Sequence, residues 1–173
     1  MNDPRIKIQT ELGDITLELY PRQAPITVAN FLRYVEENRF LNAGCFYRVV
    51  CMDNQPNNEI KIEVIQGGLK DDEHPNRLPA IPHESTEQTG IHHKDGTISM
   101  ARNEPGTADS EFFICVDDQP DLDFGGKRNL DGQGFAAFGR VIDGMSVVRN
   151  IHGQPADEQS LMPAIMIQAI RRV

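Results

Sequence analysis

Tryptophan is absent from this chain, cysteine occurs three times, and no apolar run is long enough to cross a bilayer. A membrane helix needs roughly 18 or more consecutive apolar residues, so no membrane partner is expected. Cys45, Cys51 and Cys115 leave one thiol over if any two pair, and none forms a Cys-x-x-Cys. Such usage reads as reduced, mostly buried thiols in a cytoplasmic protein. Basic residues are also few, 17 Lys and Arg against 26 Asp and Glu, for a net charge of −9. Phosphate recognition needs clustered cations, and the Arg171-Arg172 pair is too short to supply them, so no nucleic-acid partner is expected. The excess of acid keeps a domain soluble. Residues 1–5 contain no apolar segment of the kind a secretory signal carries. Repeats, linkers and low-complexity tracts are lacking as well, and the length suits one domain over residues 1–173.

What is present is mainly β in pattern. Residues 5–10 read as a strand with Ile6 and Ile8 on one face. Residues 11–14 read as a turn, and Ile15, Leu17 and Leu19 then alternate with polar neighbours, which makes a hairpin with one buried face. Pro25 suits the first turn of a helix. Val28, Phe31, Leu32 and Val35 give that helix an apolar stripe, and Asn38 is a plausible end for it. Residues 45–50, 61–66, 97–101, 112–116, 135–141 and 164–173 read as further strands, with Pro163 marking the start of the last. Residues 145–151 suggest a second helix. Residues 53–59, 71–90 and 125–134 read as loops, and a loop as long as 71–90 is often functional. The result is about eight short strands and two helices. Strands that follow one another without intervening helices pair antiparallel, and a sheet of this size removes its edges by closing into a barrel.

Several stretches carry more than periodicity. They are Gly13-Asp14-Ile15-Thr16-Leu17-Glu18-Leu19, Ala24-Pro25-Ile26-Thr27-Val28-Ala29-Asn30-Phe31 and Phe46-Tyr47-Arg48-Val49-Val50, then Ile65-Gln66-Gly67-Gly68 and Gly96-Thr97-Ile98-Ser99-Met100-Ala101-Arg102. Ser110-Glu111-Phe112-Phe113-Ile114 and Phe135-Ala136-Ala137-Phe138-Gly139-Arg140-Val141, with Gly144-Met145 after it, complete the series. In this order and at these separations, the chain resembles the cyclophilin family along nearly its whole length. The resemblance implies a closed eight-stranded antiparallel barrel capped by two helices. It also implies peptidyl-prolyl cis-trans isomerase activity on proline-containing polypeptides, in a groove on the barrel's outer surface, without a cofactor or metal.

The chemistry is set by the peptide bond, whose rotation barrier is roughly 18–20 kcal/mol. In the twisted amide the proline nitrogen regains a lone pair. A fixed guanidinium can donate to it, an interaction stronger in the twisted state than in the planar one. The resemblance assigns that part to Arg48, and to Gln66 the task of contacting substrate backbone and holding the arginine. Phe113 would floor an apolar pocket for the proline ring, completed by Leu122 and Val64. Ala101 and Asn103 would border the channel for preceding residues. Phe135 stands where many members have a histidine. A 10⁴-fold acceleration needs about 5.4 kcal/mol and one charge-assisted hydrogen bond supplies roughly 1.5–3 kcal/mol, so Arg48 would act together with pocket desolvation.

Four departures bear on that reading. The segment between Arg48 and Gln66 is longer than usual, with 52–59 expected as a loop beside the groove. Glu63 and Val64 stand where an aromatic residue and a methionine are usual, and Glu63 could pair with Arg48 or dull the pocket. Glu111 replaces a glutamine near the channel. Asp121 stands nearest the position of a rim indole, which implies weak cyclosporin binding. The alternative reading is a catalytically weak module of the same fold that binds proline-containing peptides. The histidines His83, His92 and His93 beside Glu84 lack a zinc spacing and read as solvated loop residues, as do Asp117, Asp118, Asp121 and Asp123. A metal-dependent hydrolase built on these histidines is the remaining, weaker possibility.

Overall fold

The computed structural model describes residues 2–173. Its strands are β1 (Arg5–Thr10), β2 (Gly13–Leu19), β3 (Cys45–Val50), β4 (Val64–Gly68), β5 (Thr97–Met100), β6 (Phe112–Cys115), β7 (Ala136–Asp143), β8 (Ala156–Asp157), β9 (Ser160–Met166) and β10 (Ala169–Arg172). The helices are α1 (Pro25–Glu36), α2 (Thr86–Thr89) and α3 (Met145–His152), with a 3-10 turn at Pro120–Leu122. Every ladder is antiparallel, in the order β10-β1-β2-β7-β5-β6-β4-β3-β9-β8.

The mainly β expectation is met, with two corrections. Among the described residues there are ten strands, not eight, because a short β8 adds a hairpin and the C-terminal run divides into β9 and β10. The sheet is also not closed by a ladder, since the end strands β10 and β8 do not pair. Instead, β9 lies on β3 and β10 on β1. The chain changes sides between them: Ile167 N donates to Gly44 O (2.9 Å) and Gln168 N to Gln9 O (2.8 Å). One covalent run thus bridges the two flanks of the sheet.

Among the described residues the α-helices number three rather than two, because the four-residue α2 sits inside the long polar loop. Residues 61–63 lie outside β4. Pro163 falls within β9 rather than before it. The register opposite β3 jumps from Ile165 to Ser160, so Pro163 occupies a stretch where no ladder needs its missing N–H.

Alternation along the strands separates two apolar clusters. Ile6, Ile8, Ile15, Leu17, Phe46, Ile65, Ile98, Phe112, Ile114 and Phe138 point into the main core, together with Val28, Phe31, Tyr34 and Val35 of α1 and Val148 and Ile151 of α3. The neighbouring Val50, Val64, Phe113 and Cys115 point outward and form a second cluster with Ile62 and Leu122. Successive strand residues face opposite sides, so the same strands that fill the interior also floor an external cleft.

Candidate active site

That cleft has a volume of about 810 Å³ and runs across β3, β4 and β6. Arg48, Gln66, Phe113, Leu122, Val64, Ala101, Asn103 and Phe135, expected together from the sequence, all line it.

Arg48 owes its place to a bulge. The register of β3 on β4 shifts between Phe46 and Arg48, so Tyr47 and Arg48 together oppose Gln66. A bulge of this kind re-aims side chains, and here Tyr47 and Arg48 both line the cleft while Phe46 and Val49 are in the core. Arg48 Nη1 donates to Gln66 Oε1 (2.7 Å), and Nε and Nη2 donate to Gln159 Oε1 (2.9 and 2.8 Å). Burial draws this guanidinium below the ordinary arginine range, with Tyr47 offsetting the shift, yet arginine remains charged at neutral pH.

Gln66 passes the polarity onward. Its Nε2 donates to the Tyr47 hydroxyl (2.9 Å), which donates to Glu111 Oε1 (2.7 Å). Burial first, then the charge and hydrogen bond of Glu111, pushes the Tyr47 phenol far above its ordinary value, so it stays a neutral donor. The donors run in one direction from cation to carboxylate, which fixes the Gln66 amide with its oxygen toward Arg48. Glu111 also accepts from Leu69 N (2.9 Å), Lys70 N (2.8 Å) and Ser110 Oγ (2.8 Å), and Arg77 Nη2 lies 3.6 Å away. Its charge is therefore near the channel, as expected, but engaged by protein donors. A Cβ at Gly68, where φ is +143°, would collide with this carboxylate, so the backbone there has to be glycine.

The apolar end is a set of rings. Phe113 meets Phe135 edge-on at 5.3 Å, and the imidazole of His93 stacks on Phe113 at 5.9 Å. Arg102 lies 5.0 Å over the Phe135 ring and is anchored by Asp131 Oδ2 (3.0 Å) and Gly134 O (3.1 Å). Leu122 and Val64 close the base.

Three expectations are corrected. Glu63 does not line the cleft and is not a partner of Arg48. Ile62 and Val64 take the cleft side, and the residue between them faces away. His93 is not solvated: it is 1% exposed and bridges Asp123 Oδ1 (2.7 Å) and Ser99 Oγ (2.8 Å). Asp123 accordingly is engaged rather than free. Among the described residues no three His, Cys, Asp or Glu come together as a metal site.

Sequence reasoning missed Tyr47, Arg102, Arg128 and Gln159. Arg102 and Tyr47 belong to quoted motifs and could have been found there. Arg128 reaches Gln55 Oε1 (2.8 Å) and Ile60 O (2.7 Å), and Gln159 is 111 residues from Arg48. Neither has a local signal.

A surface groove on the sheet, with an aromatic pocket and a fixed cation beside it, is the arrangement that the sequence resemblance implies. Comparison with known proteins agrees. The cyclophilin type peptidyl-prolyl cis-trans isomerase/CLD family profile matches residues 5–172. A peptidyl-prolyl cis-trans isomerase of Acinetobacter baylyi is 34% identical over 167 residues, covering 96% of this chain and 81% of that protein. Peptidyl-prolyl cis-trans isomerase B of Escherichia coli is 35% identical over 149 residues, covering 86% and 84%. The crystal structure of a Cryptosporidium parvum cyclophilin type isomerase superposes with a TM-score of 0.75 at 22% identity, covering 99% of this chain and 98% of that one. This chain belongs to the cyclophilin-type peptidyl-prolyl cis-trans isomerase family.

Proposed function

We propose that this chain rotates X-Pro bonds of flexible polypeptides in the 810 Å³ cleft, with Arg48 as the catalytic donor and Phe113, Leu122, Val64 and Phe135 receiving the proline ring. The observation that carries the reading is the state of Arg48. Its guanidinium is held by two neutral amides, with no carboxylate bonded to it, beside an apolar ring pocket. It keeps a full charge and spare donors for a twisted amide. Gln66 holds the fork and offers its amide edge to substrate backbone. Ala101 and Asn103 border the path of the residues before proline. The Cryptosporidium parvum isomerase also has a crystal structure in the presence of the dipeptide Ala-Pro, which supports a proline-containing ligand for this cleft.

The reading of a catalytically weak binding module rested on Glu63 and Glu111. Glu63 lies away from the cleft and Glu111 is saturated by donors, so neither supports it. Asp121 in place of a rim indole supports weak cyclosporin binding, which titration calorimetry measures. Three unpaired thiols support a reducing, cytoplasmic setting, and the monomer is the working unit of this mechanism, since one cleft holds every group it uses.

The test is isomerisation of an Ala-Pro peptide by NMR exchange, with Arg48→Ala alongside. Removing a charge-assisted donor worth roughly 1.5–3 kcal/mol lowers kcat/KM about 10- to 100-fold. Wild-type turnover in a folded Arg48→Ala protein would refute the assignment.

A further inference from the structure

Arg48 has five N–H donors, and three are committed: one to Gln66 and two to the single oxygen Gln159 Oε1. Gln159 lies in the turn between β8 and β9. Its own Nε2 donates to Asn54 O (3.0 Å). Asn54 is locked in turn: its Oδ1 accepts from Cys51 N (2.7 Å), and its Nδ2 donates to Val49 O (3.0 Å) and Glu158 O (3.1 Å). The extra loop after β3 therefore reaches the guanidinium through one amide side chain.

We propose that Gln159 is a positioning residue for isomerisation, bracing Arg48 from the side opposite Gln66, and that its neutrality is part of the function. The proposal rests on Arg48 being the catalytic donor. An amide oxygen fixes the fork's direction without cancelling its charge. A carboxylate at the same point would make a paired, charge-neutral fork and weaken the field available to the twisted amide, while still accepting from Nε and Nη2 of Arg48 even though it loses the donor bond to Asn54 O. Orientation and charge are thus separable by substitution at one residue.

The experiment uses the full chain and the variants Gln159→Ala and Gln159→Glu. It measures kcat and KM separately on an Ala-Pro peptide, with the solvent exchange of the Arg48 Nε–H by NMR. Gln159→Ala frees the fork, so Nε–H exchange quickens and kcat falls roughly tenfold, about 1.4 kcal/mol, with KM nearly unchanged. Gln159→Glu keeps the Nε–H protected yet also loses about tenfold in kcat. Wild-type kcat in Gln159→Ala overturns the brace, as does a loss of kcat without faster Nε–H exchange. Wild-type kcat in Gln159→Glu overturns the need for neutrality. Arg48→Ala separates the two levels: if it is as active as wild type, the functional reading itself has failed, whereas an inactive Arg48→Ala beside an unaffected Gln159→Ala removes only the brace.

Discussion

His93 lies behind the aromatic pocket between Asp123 and Ser99, with its ring parallel to Phe113. Burial draws its pKa down, and the Asp123 bond only partly opposes this. Burial acts to raise Asp123, but hydrogen bonds from the His93 side chain and backbone hold its carboxyl below the ordinary range. The consistent assignment is a neutral imidazole donating from Nδ1 to Asp123 and accepting at Nε2 from Ser99. Below about pH 6.5 the unfolded chain takes up a proton that folded His93 refuses. Its contribution to stability is therefore complete above that pH and is lost as pH falls toward the lowered folded value. Urea midpoints at about pH 7.5 and 5.5 should show lower stability in acid, and the gap should narrow in His93→Gln. An equal gap in both proteins would contradict the neutral assignment.

Helix α1 begins with Pro25 and lacks both a side-chain cap at Ala24 and an acid in its first turn. Glu84 supplies what is missing from 57 residues away. Its carboxylate, 1% exposed, accepts from Thr27 N (2.7 Å), Thr27 Oγ1 (2.6 Å) and Ile26 N (3.3 Å). A negative group there satisfies orphan N–H donors and complements the helix dipole. In sequence Glu84 stands among histidines and invites a metal reading, whereas in the fold it is a helix cap delivered by the long loop just before α2. Glu84→Ala strands these donors and should lower stability by about 2–3 kcal/mol, measured by urea unfolding. Glu84→Gln, which keeps one acceptor, should lose less. Isomerase activity per folded molecule should persist in both, because Glu84 is not part of the cleft lining.

Across the molecule, one strip of antiparallel sheet serves two apolar clusters, and Phe31 of α1 joins helix to interior. Its ring meets Phe138 at 5.3 Å, Phe112 at 5.6 Å and Phe40 at 6.1 Å. Phe112 belongs to this core and its neighbour Phe113 to the cleft, so the two clusters share a strand. Truncating Phe31 leaves a cavity under that strand. Phe31→Ala should cost about 3–5 kcal/mol, read from urea midpoints, and should raise the exchange of β6 amides in particular. A loss confined to α1 would show that helix and sheet are less coupled than the ring contacts imply.

Local pattern was enough for much of this. Period-two alternation marked β1 and β2, and the Val28–Val35 stripe marked α1, because each depends on a face that must be buried; β3 and β6 stood out as short aromatic and β-branched runs. The division of Phe112 from Phe113 followed from the same alternation, and the ordered motifs pointed to Arg48 and Gln66. What only the tertiary structure decided depended on partners remote in sequence. A bulge put Tyr47 and Arg48 on one face against the expected alternation, since it is a property of the β3–β4 pairing rather than of either strand. Gln159 and Glu84 found their partners 111 and 57 residues away. The burial of His93, the split of the C-terminal run into β9 and β10, and the absence of a closing ladder arose likewise from packing. Short-range periodicity encodes which face is buried; which polar groups meet depends on how the buried faces come together.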